Sequence, residues 1–272
     1  MLLSVRHTTT YVFDKPMRFI TQSHRLTPSP SASQRVLDWT VTAEGAEFGA
    51  GFQDGAGDQI STMTVQGPVD RIAVLVTGTV ETTDTAGVLR DHREIISPRV
   101  YLQKTAATQP SGALAELIAK AVGKPARDEV ARAHGLSLAV TEAIAYEPGV
   151  THAHSTAAEA VEQGKGVCQD HAHALIALSH AAGMPARYVS GYLLTTEGET
   201  PEEASHAWAE IYLPSLGWVG FDAANASCPD ERYIRLGSGR DARDAAPIRG
   251  VSRGGGAEAL DVTVVVAQQR QQ

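Results

Sequence analysis

Apolar and polar residues alternate at the start of the chain. Leu3, Val5 and His7, then Tyr11 and Phe13, follow a two-residue period, which predicts β-strand. Asp14-Lys15-Pro16-Met17 reads as a turn between paired strands, and Val36 to Val41 is a second alternating run ending near Gly45. After the turn residues Asp54-Gly55-Ala56-Gly57-Asp58 come Thr62 to Val65 and Ile72 to Val80, the latter β-branched enough for a buried strand. Short strands with regular punctuation predict an antiparallel, β-sandwich-like region over residues 1–85.

From Ser111 the period becomes helical. Ser111 can cap a helix from Ala113 to Val122, stopped by Pro125; a second runs from Glu129 to Ala145. Thr156 caps Ala157 to Glu162, and Gly164-Lys165-Gly166 ends it. Cys168 to Ala182 is the strongest helix, closed by Gly183-Met184-Pro185. Three strands follow, Ala186 to Thr195, Ala207 to Leu213 and Trp218 to Phe221. Arg232 to Gly256, rich in Gly and Arg, reads as loop before a last strand, Leu260 to Val266. The fold class is α+β: an N-terminal β region over residues 1–85, a helical connection over 86–150, a core over 151–230 and a C-terminal extension with a closing strand over 231–272.

Composition narrows the function. The 272 residues carry 23 Lys plus Arg against 31 Asp plus Glu, a net charge of −8, and 43% are hydrophobic, as in a globular protein. An acidic chain without a long basic run argues against nucleic acid as partner. No apolar stretch nears the roughly 18 residues of a membrane span, and the opening residues lack a signal peptide's layout. Cys168 and Cys228 are too few for a disulfide framework, so a cytoplasmic location is expected.

With two cysteines, the search for a nucleophile is short. Cys168 follows Gly164-Lys165-Gly166-Val167 at a helix start, where unpaired N–H groups and the positive end of the dipole favour thiolate and can hold an oxyanion. The alternative is a packed thiol. Ser205-His206-Ala207-Trp208 opens one predicted strand and Trp218 to Asp222 closes the next, around the short turn Pro214-Ser215-Leu216-Gly217. A hairpin centred near Pro214 or Ser215 sets His206 opposite Asp222, close enough for the carboxylate to fix the imidazole tautomer and leave the other nitrogen for a thiol.

Gly166-Val167-Cys168-Gln169-Asp170 with Ala172-His173 resembles the nucleophile motif of the bacterial transglutaminase-like family. Arg187-Tyr188-Val189-Ser190-Gly191-Tyr192, Ser205 to Trp208 and Gly217 to Asp222 resemble its later blocks. His7-Thr8-Thr9 with Tyr11, and Arg25-Leu26 with Pro28, resemble its N-terminal region; Gly239-Arg240-Asp241, Asp244 and Pro247 to Gly250 resemble its C-terminal segment. The resemblance implies a papain-like cysteine-protease/transglutaminase core, with Cys168 as nucleophile, His206 as base and then acid, and Asp222 as orienting carboxylate. The chain departs from the family pattern at His171, where an aromatic is usual, at Ala223-Ala224, where Pro-Thr is usual, and at Gly55-Ala56-Gly57-Asp58.

The expected substrate is a peptide or protein carbonyl, with no metal and no cofactor; hydrolysis, amine transfer and a non-catalytic scaffold are the alternatives, and the oligomeric state is open. Tyr146 is a candidate second oxyanion donor, with a packing tyrosine as the alternative. His171 and His173, two apart on a helix, point about 200° apart and make a poor shared zinc site. His152 and His154 read as loop residues, His173 as packing behind the helix, Asp170 as a partner of helix-start N–H groups, Trp208 and Trp218 as core or cleft-wall aromatics, and Cys228 as inert.

Overall fold

The computed structural model describes residues 1–194 and 205–269; Thr195, the expected end of one strand, lies outside them. Two long antiparallel partners, β1 (Leu2–Thr27) and β5 (Gln59–Thr82), organise the N-terminal region. Between them in sequence, β2 (Gln34–Ala43), β3 (Ala46–Phe48) and β4 (Phe52–Gln53) all pair with β5. The turn expected at Asp14 to Met17 is instead a bulge inside β1, where the register against β5 shifts between Val12 and Met17. Thr62 to Val65 and Ile72 to Val80 likewise belong to one strand, with Gly67-Pro68 unpaired at the next irregularity, between Met17 and Phe19. Proline lacks the ladder N–H, and at a bulge that costs no bond, so Pro16 and Pro68 mark irregularities without ending either strand.

The middle of the chain builds a helical layer. It comprises α1 (Gly112–Val122), α2 (Glu129–Ala143), the short β6 (Ala145–Tyr146), α3 (Ala157–Gln163), the short β7 (Lys165–Gly166) and α4 (Cys168–Ala181). Thr156 and Glu159 form a capping box at α3, and Gly164 ends it in the left-handed region at φ 65°, which glycine adopts without a Cβ penalty. Every side chain from Asp170 to His180 is buried, so α4 is covered on all sides. Its companions are α1, α2 and α3 on one side and a sheet on the other.

That sheet contains β8 (Ala186–Leu193), β9 (Ser205–Leu213), β10 (Gly217–Phe221) and β11 (Tyr233–Gly239), antiparallel in the order β10-β9-β8-β11. Ala207, Ala209, Ile211 and Leu213 of β9 join the core around α4, leaving His206, Trp208 and Glu210 on the other parity. The segment expected to be loop from Arg232 to Gly256 is thus corrected: it carries β11 and β12 (Ile248–Arg253). An arginine and two glycines hid a strand whose seven residues are all buried. Arg235 is tolerated there because Glu210 and Asp58 neutralise it, at 2.9 and 2.8 Å.

The last strand, β13 (Glu258–Gln268), and β12 both return to β1, so the C-terminal segment completes the N-terminal sheet. Leu3, Val5, Val80 and Val264 pack against Tyr192, Ile234 and Leu236, which joins the two sheets.

Candidate active site

Cys168 is the first residue of α4 and is partly exposed. The turn before it is tied down by Asp170, whose buried Oδ2 accepts from Val167 N at 2.8 Å and Thr151 Oγ1 at 2.6 Å. Gly166 lies so close that a Cβ there would fall 2.7 Å from that oxygen. Asp170 therefore braces the cysteine turn, as its first-turn position led one to expect. Tyr146 pairs across from Gly166 in the two-stranded β6–β7 ladder, half exposed, with its ring centroid 6.4 Å from that of His171.

His206 and Asp222 meet, though not in the expected register. Trp218 faces Tyr212 and Phe221 faces Ala209, so the ladder continued by one residue sets Asp222 against Trp208. The three-residue loop Pro214-Ser215-Leu216, closed by Gly217 at φ 83°, centres the hairpin on Ser215 and displaces the pairing by two. A two-residue slip keeps side chains on the same face. The contact survives as a diagonal one: His206 Nε2 lies 2.6 Å from Asp222 Oδ2.

Asp222 is buried and fully engaged. Its Oδ2 also accepts from Tyr233 Oη and Asn225 Nδ2, both at 2.8 Å, and its Oδ1 accepts from the backbone N–H groups of Ala224 and Asn225 at 3.0 and 3.2 Å. Burial alone would raise its pKa; the hydrogen bond from His206 and its other donors hold it below the usual carboxylate range. For His206, burial pushes the pKa down, but hydrogen bonds to Asp222 and Cys168, and their charges, outweigh it and raise it to about 10. With Nε2 committed to Asp222, Nδ1 is the nitrogen left for the cysteine. The Trp208 ring lies nearly parallel to His206 at 6.4 Å, and Tyr233 meets both rings edge-on. Gly191, paired with His206 across β8–β9, leaves room for that Trp208 ring, from which a Cβ would stand only 2.6 Å away.

These shifts predict a pH dependence of stability. The stabilisation from protonated His206 is complete below its ordinary value of 6.5 and is lost as the pH climbs through about 10. That from Asp222 is present above the ordinary carboxylate range and is lost as the pH falls through its depressed pKa. The thermal midpoint of the wild type should therefore drop more between pH 7 and 10 than that of His206→Ala, measured by circular dichroism. Equal slopes would show that the imidazole is not held in its charged form.

The remaining histidines have structural partners. His173 Nε2 accepts from Ala242 N at 3.0 Å, as expected of a residue behind the helix, and burial lowers its pKa to about 4. Both His171 nitrogens lie 2.9 Å from backbone carbonyls, of Val167 and Ile144. His152 and His154 sit in the loop before α3. Among the described residues no cluster of three His, Cys, Asp or Glu could hold a metal ion, and no helix is long and apolar enough to cross a membrane. The Cys228 thiol is pushed up by burial and by the charge of Asp84, which keeps it protonated.

Sequence reasoning missed Tyr233 and Asn225, and a buried ionic network beneath the site. Arg187 Nε lies 2.6 Å from Glu210 and its Nη1 2.9 Å from Glu94, while Arg235 links Glu210 to Asp58. The Arg187 guanidinium sits 4.0 Å over the Trp218 ring. Opposite charges in the middle of two adjacent apolar runs, Arg187 and Glu210, were the available signal.

Comparison with known proteins fits this geometry. The model of the transglutaminase-like superfamily matches residues 113–223, and that of the bacterial transglutaminase-like N-terminal region matches residues 3–81. An uncharacterized protein of Mycobacterium leprae is 31% identical over 284 residues, spanning 98% of this chain and 98% of its own. The chain belongs to the transglutaminase-like superfamily. The segment matched to that superfamily runs from α1 past β10 and contains Cys168, His206 and Asp222, but not Tyr233. A Mycobacterium bovis protein, also uncharacterized, is 38% identical over 115 residues, 39% of this chain and 37% of its own. A crystal structure from Cytophaga hutchinsonii, whose name assigns it provisionally to the cysteine proteases, shares the fold across 100% of this chain and 92% of its own, with TM-score 0.75 and 22% identity.

Proposed function

We propose that this transglutaminase-like chain is a cysteine enzyme that forms a thioester between Cys168 and a peptide or carboxamide carbonyl, acting as a peptidase or amidase. The observation that carries this reading is the 2.6 Å bond between His206 and Asp222, made where His206 also hydrogen-bonds Cys168 at the start of a helix.

In this reading His206 holds the proton taken from Cys168, and Asp222 fixes the imidazole and stabilises its charged form. The sulfur attacks the carbonyl carbon, and the carbon–oxygen π pair moves onto oxygen. N–H groups in the first turn of α4, which have no intrahelical acceptor, hold that oxyanion, with Tyr146 beside the turn as the second donor. His206 then returns the proton to the leaving nitrogen, the carbon–nitrogen bond breaks, and the thioester remains. Water attacks it in a hydrolase and an amine in a transglutaminase; His206 takes the nucleophile's proton, the carbon–sulfur bond breaks, and the proton returns to the released Cys168 sulfur.

Mass spectrometry of a peptide library incubated with enzyme, with and without a primary amine, tests this. Shortened peptides identify proteolysis, a gain of about one dalton identifies deamidation, and amine adducts identify transfer. No product, with Cys168→Ala indistinguishable from wild type, refutes the enzyme and leaves a scaffold.

A further inference from the structure

A cavity of about 590 Å³ opens beside α4, between the loop that carries Ala153 to Thr156, the segment Lys104 to Ala107, and the C-terminal segment Arg240 to Asp244 with Arg249. Its walls reach α4 at two points. Gln169, the neighbour of Cys168, donates to Ala153 O at 3.4 Å. His173, which lines the cavity, is five residues after Cys168 on the same helix, an axial rise of about 7.5 Å. Tyr188 bridges the two: its ring packs on that of His173 at 5.1 Å, and its hydroxyl feels the charges of both Cys168 and Asp241.

The lining has the opposite charge to the chain. Whereas the chain has a net charge of −8, Lys104, Arg240, Arg243 and Arg249 line this cavity against only Asp241 and Asp244. Asp244 is already met by Arg240 at 2.9 Å and Arg249 at 3.8 Å, and Asp241 Oδ1 accepts from Asp244 N at 2.8 Å. Lys104 and Arg243 make no ion pair or hydrogen bond among the described residues. The buried His173 anchors this wall. Because its Nε2 accepts from Ala242 N, its proton sits on Nδ1, enclosed beneath the wall, and what His173 gives the cavity is a fixed hold on the segment that carries Arg243. Two unpaired cations lining one cavity are the complement of a carboxylate.

We propose that this cavity is a subsite for a carboxylate of the acyl donor, held by Lys104 and Arg243, so that the enzyme selects substrates with an acidic group close to the attacked carbonyl. The contact of Gln169 with Ala153 joins the cavity wall to the residue after Cys168, so the group is carried near the attacked carbonyl. This rests on the reading of Cys168 as the nucleophile.

Affinity labels of one shape and two charges test it. N-bromoacetyl-glutamate α-amide and N-bromoacetyl-glutamine α-amide both alkylate a thiolate: the sulfur–carbon bond forms, the carbon–bromine bond breaks, and bromide leaves. Each labelling rate at Cys168, found by mass spectrometry, is divided by the same protein's rate with iodoacetamide. The glutamate label should run at least 10-fold faster in the wild type, and the ratio should fall below 2-fold in the Lys104→Gln/Arg243→Gln variant and in 1 M salt. Equal rates in the wild type, or a preference retained in the variant, overturn the subsite. A faster N-bromoacetyl-glutamine with a free α-carboxylate would equally support the site and assign it to chain ends.

Binding to Cys168→Ala separates the subsite from the chemistry. In an NMR titration, N-acetyl-glutamate α-amide should bind at least 10-fold tighter than N-acetyl-glutamine α-amide, and equal affinity overturns the subsite. An iodoacetamide rate that His206→Ala leaves unchanged would instead overturn the nucleophile and spare the subsite.

Discussion

Alanine at Cys168 or at His206 should lower turnover by at least about 10⁴-fold, and Asp222→Ala should fall nearly as far. The three act as a unit, so combining the substitutions should add little to the largest single loss. Asp222→Asn is the more informative variant. It preserves the shape of a group that already accepts from Tyr233, Asn225 and two backbone N–H groups, but removes the charge that holds His206 protonated. Initial rates on whichever peptide the library identifies, measured beside far-ultraviolet circular dichroism to confirm folding, decide the matter. A folded Asp222→Asn enzyme with wild-type rates would show that the carboxylate is structural.

The second large effect lies outside the site. Glu210→Gln should cost about 3–5 kcal/mol and lower the thermal midpoint by roughly 10 °C or more. Glu210 is the shared counter-ion of Arg187 and Arg235, and all three side chains are buried. Burial works against its charge, yet the two guanidinium groups hold its pKa down to about 2. Its stabilisation is therefore present above the ordinary carboxylate range and disappears only as the pH falls through about 2. The exposed pair Arg35–Glu81 supplies the contrast: at 2.7 Å it has similar geometry, but Arg35→Ala should cost under about 1 kcal/mol. Thermal unfolding of the two variants side by side checks both values.

Local signals in the chain were enough for the cysteine helix, the hairpin and their parity. Gly164 and Thr156 punctuate α3, and the apolar run after Cys168 is long enough to leave no doubt about period. Register was less legible, because it depends on which loop residue centres the turn: Pro214 and Ser215 both fit the sequence, their pairings differ by two residues, and Ser215 is the centre. Parity was the robust part, which is why His206 and Asp222 still meet. The β11 segment was illegible for a different reason. Its arginine is compatible with burial only because Glu210, on another strand, and Asp58, from the N-terminal region, complete it. A window of sequence cannot see partners 25 and 177 positions away. Losing β11 also meant losing Tyr233, the donor from that strand to Asp222. The bulge in β1 was misread because proline signals turns and strand irregularities alike.

Pairing of β13 with Leu3 to Phe13 has a consequence for synthesis. β1 leaves the ribosome well before its partners, since its outer edge is closed only by residues 248–253 and 258–268. Until then the nascent chain presents a long row of unpaired backbone donors and acceptors, the kind of surface on which neighbouring polypeptides stick together. Completion of the sheet is a non-local event and correspondingly slow, so chains stalled before residue 248 should be strong clients for chaperones and a source of aggregates.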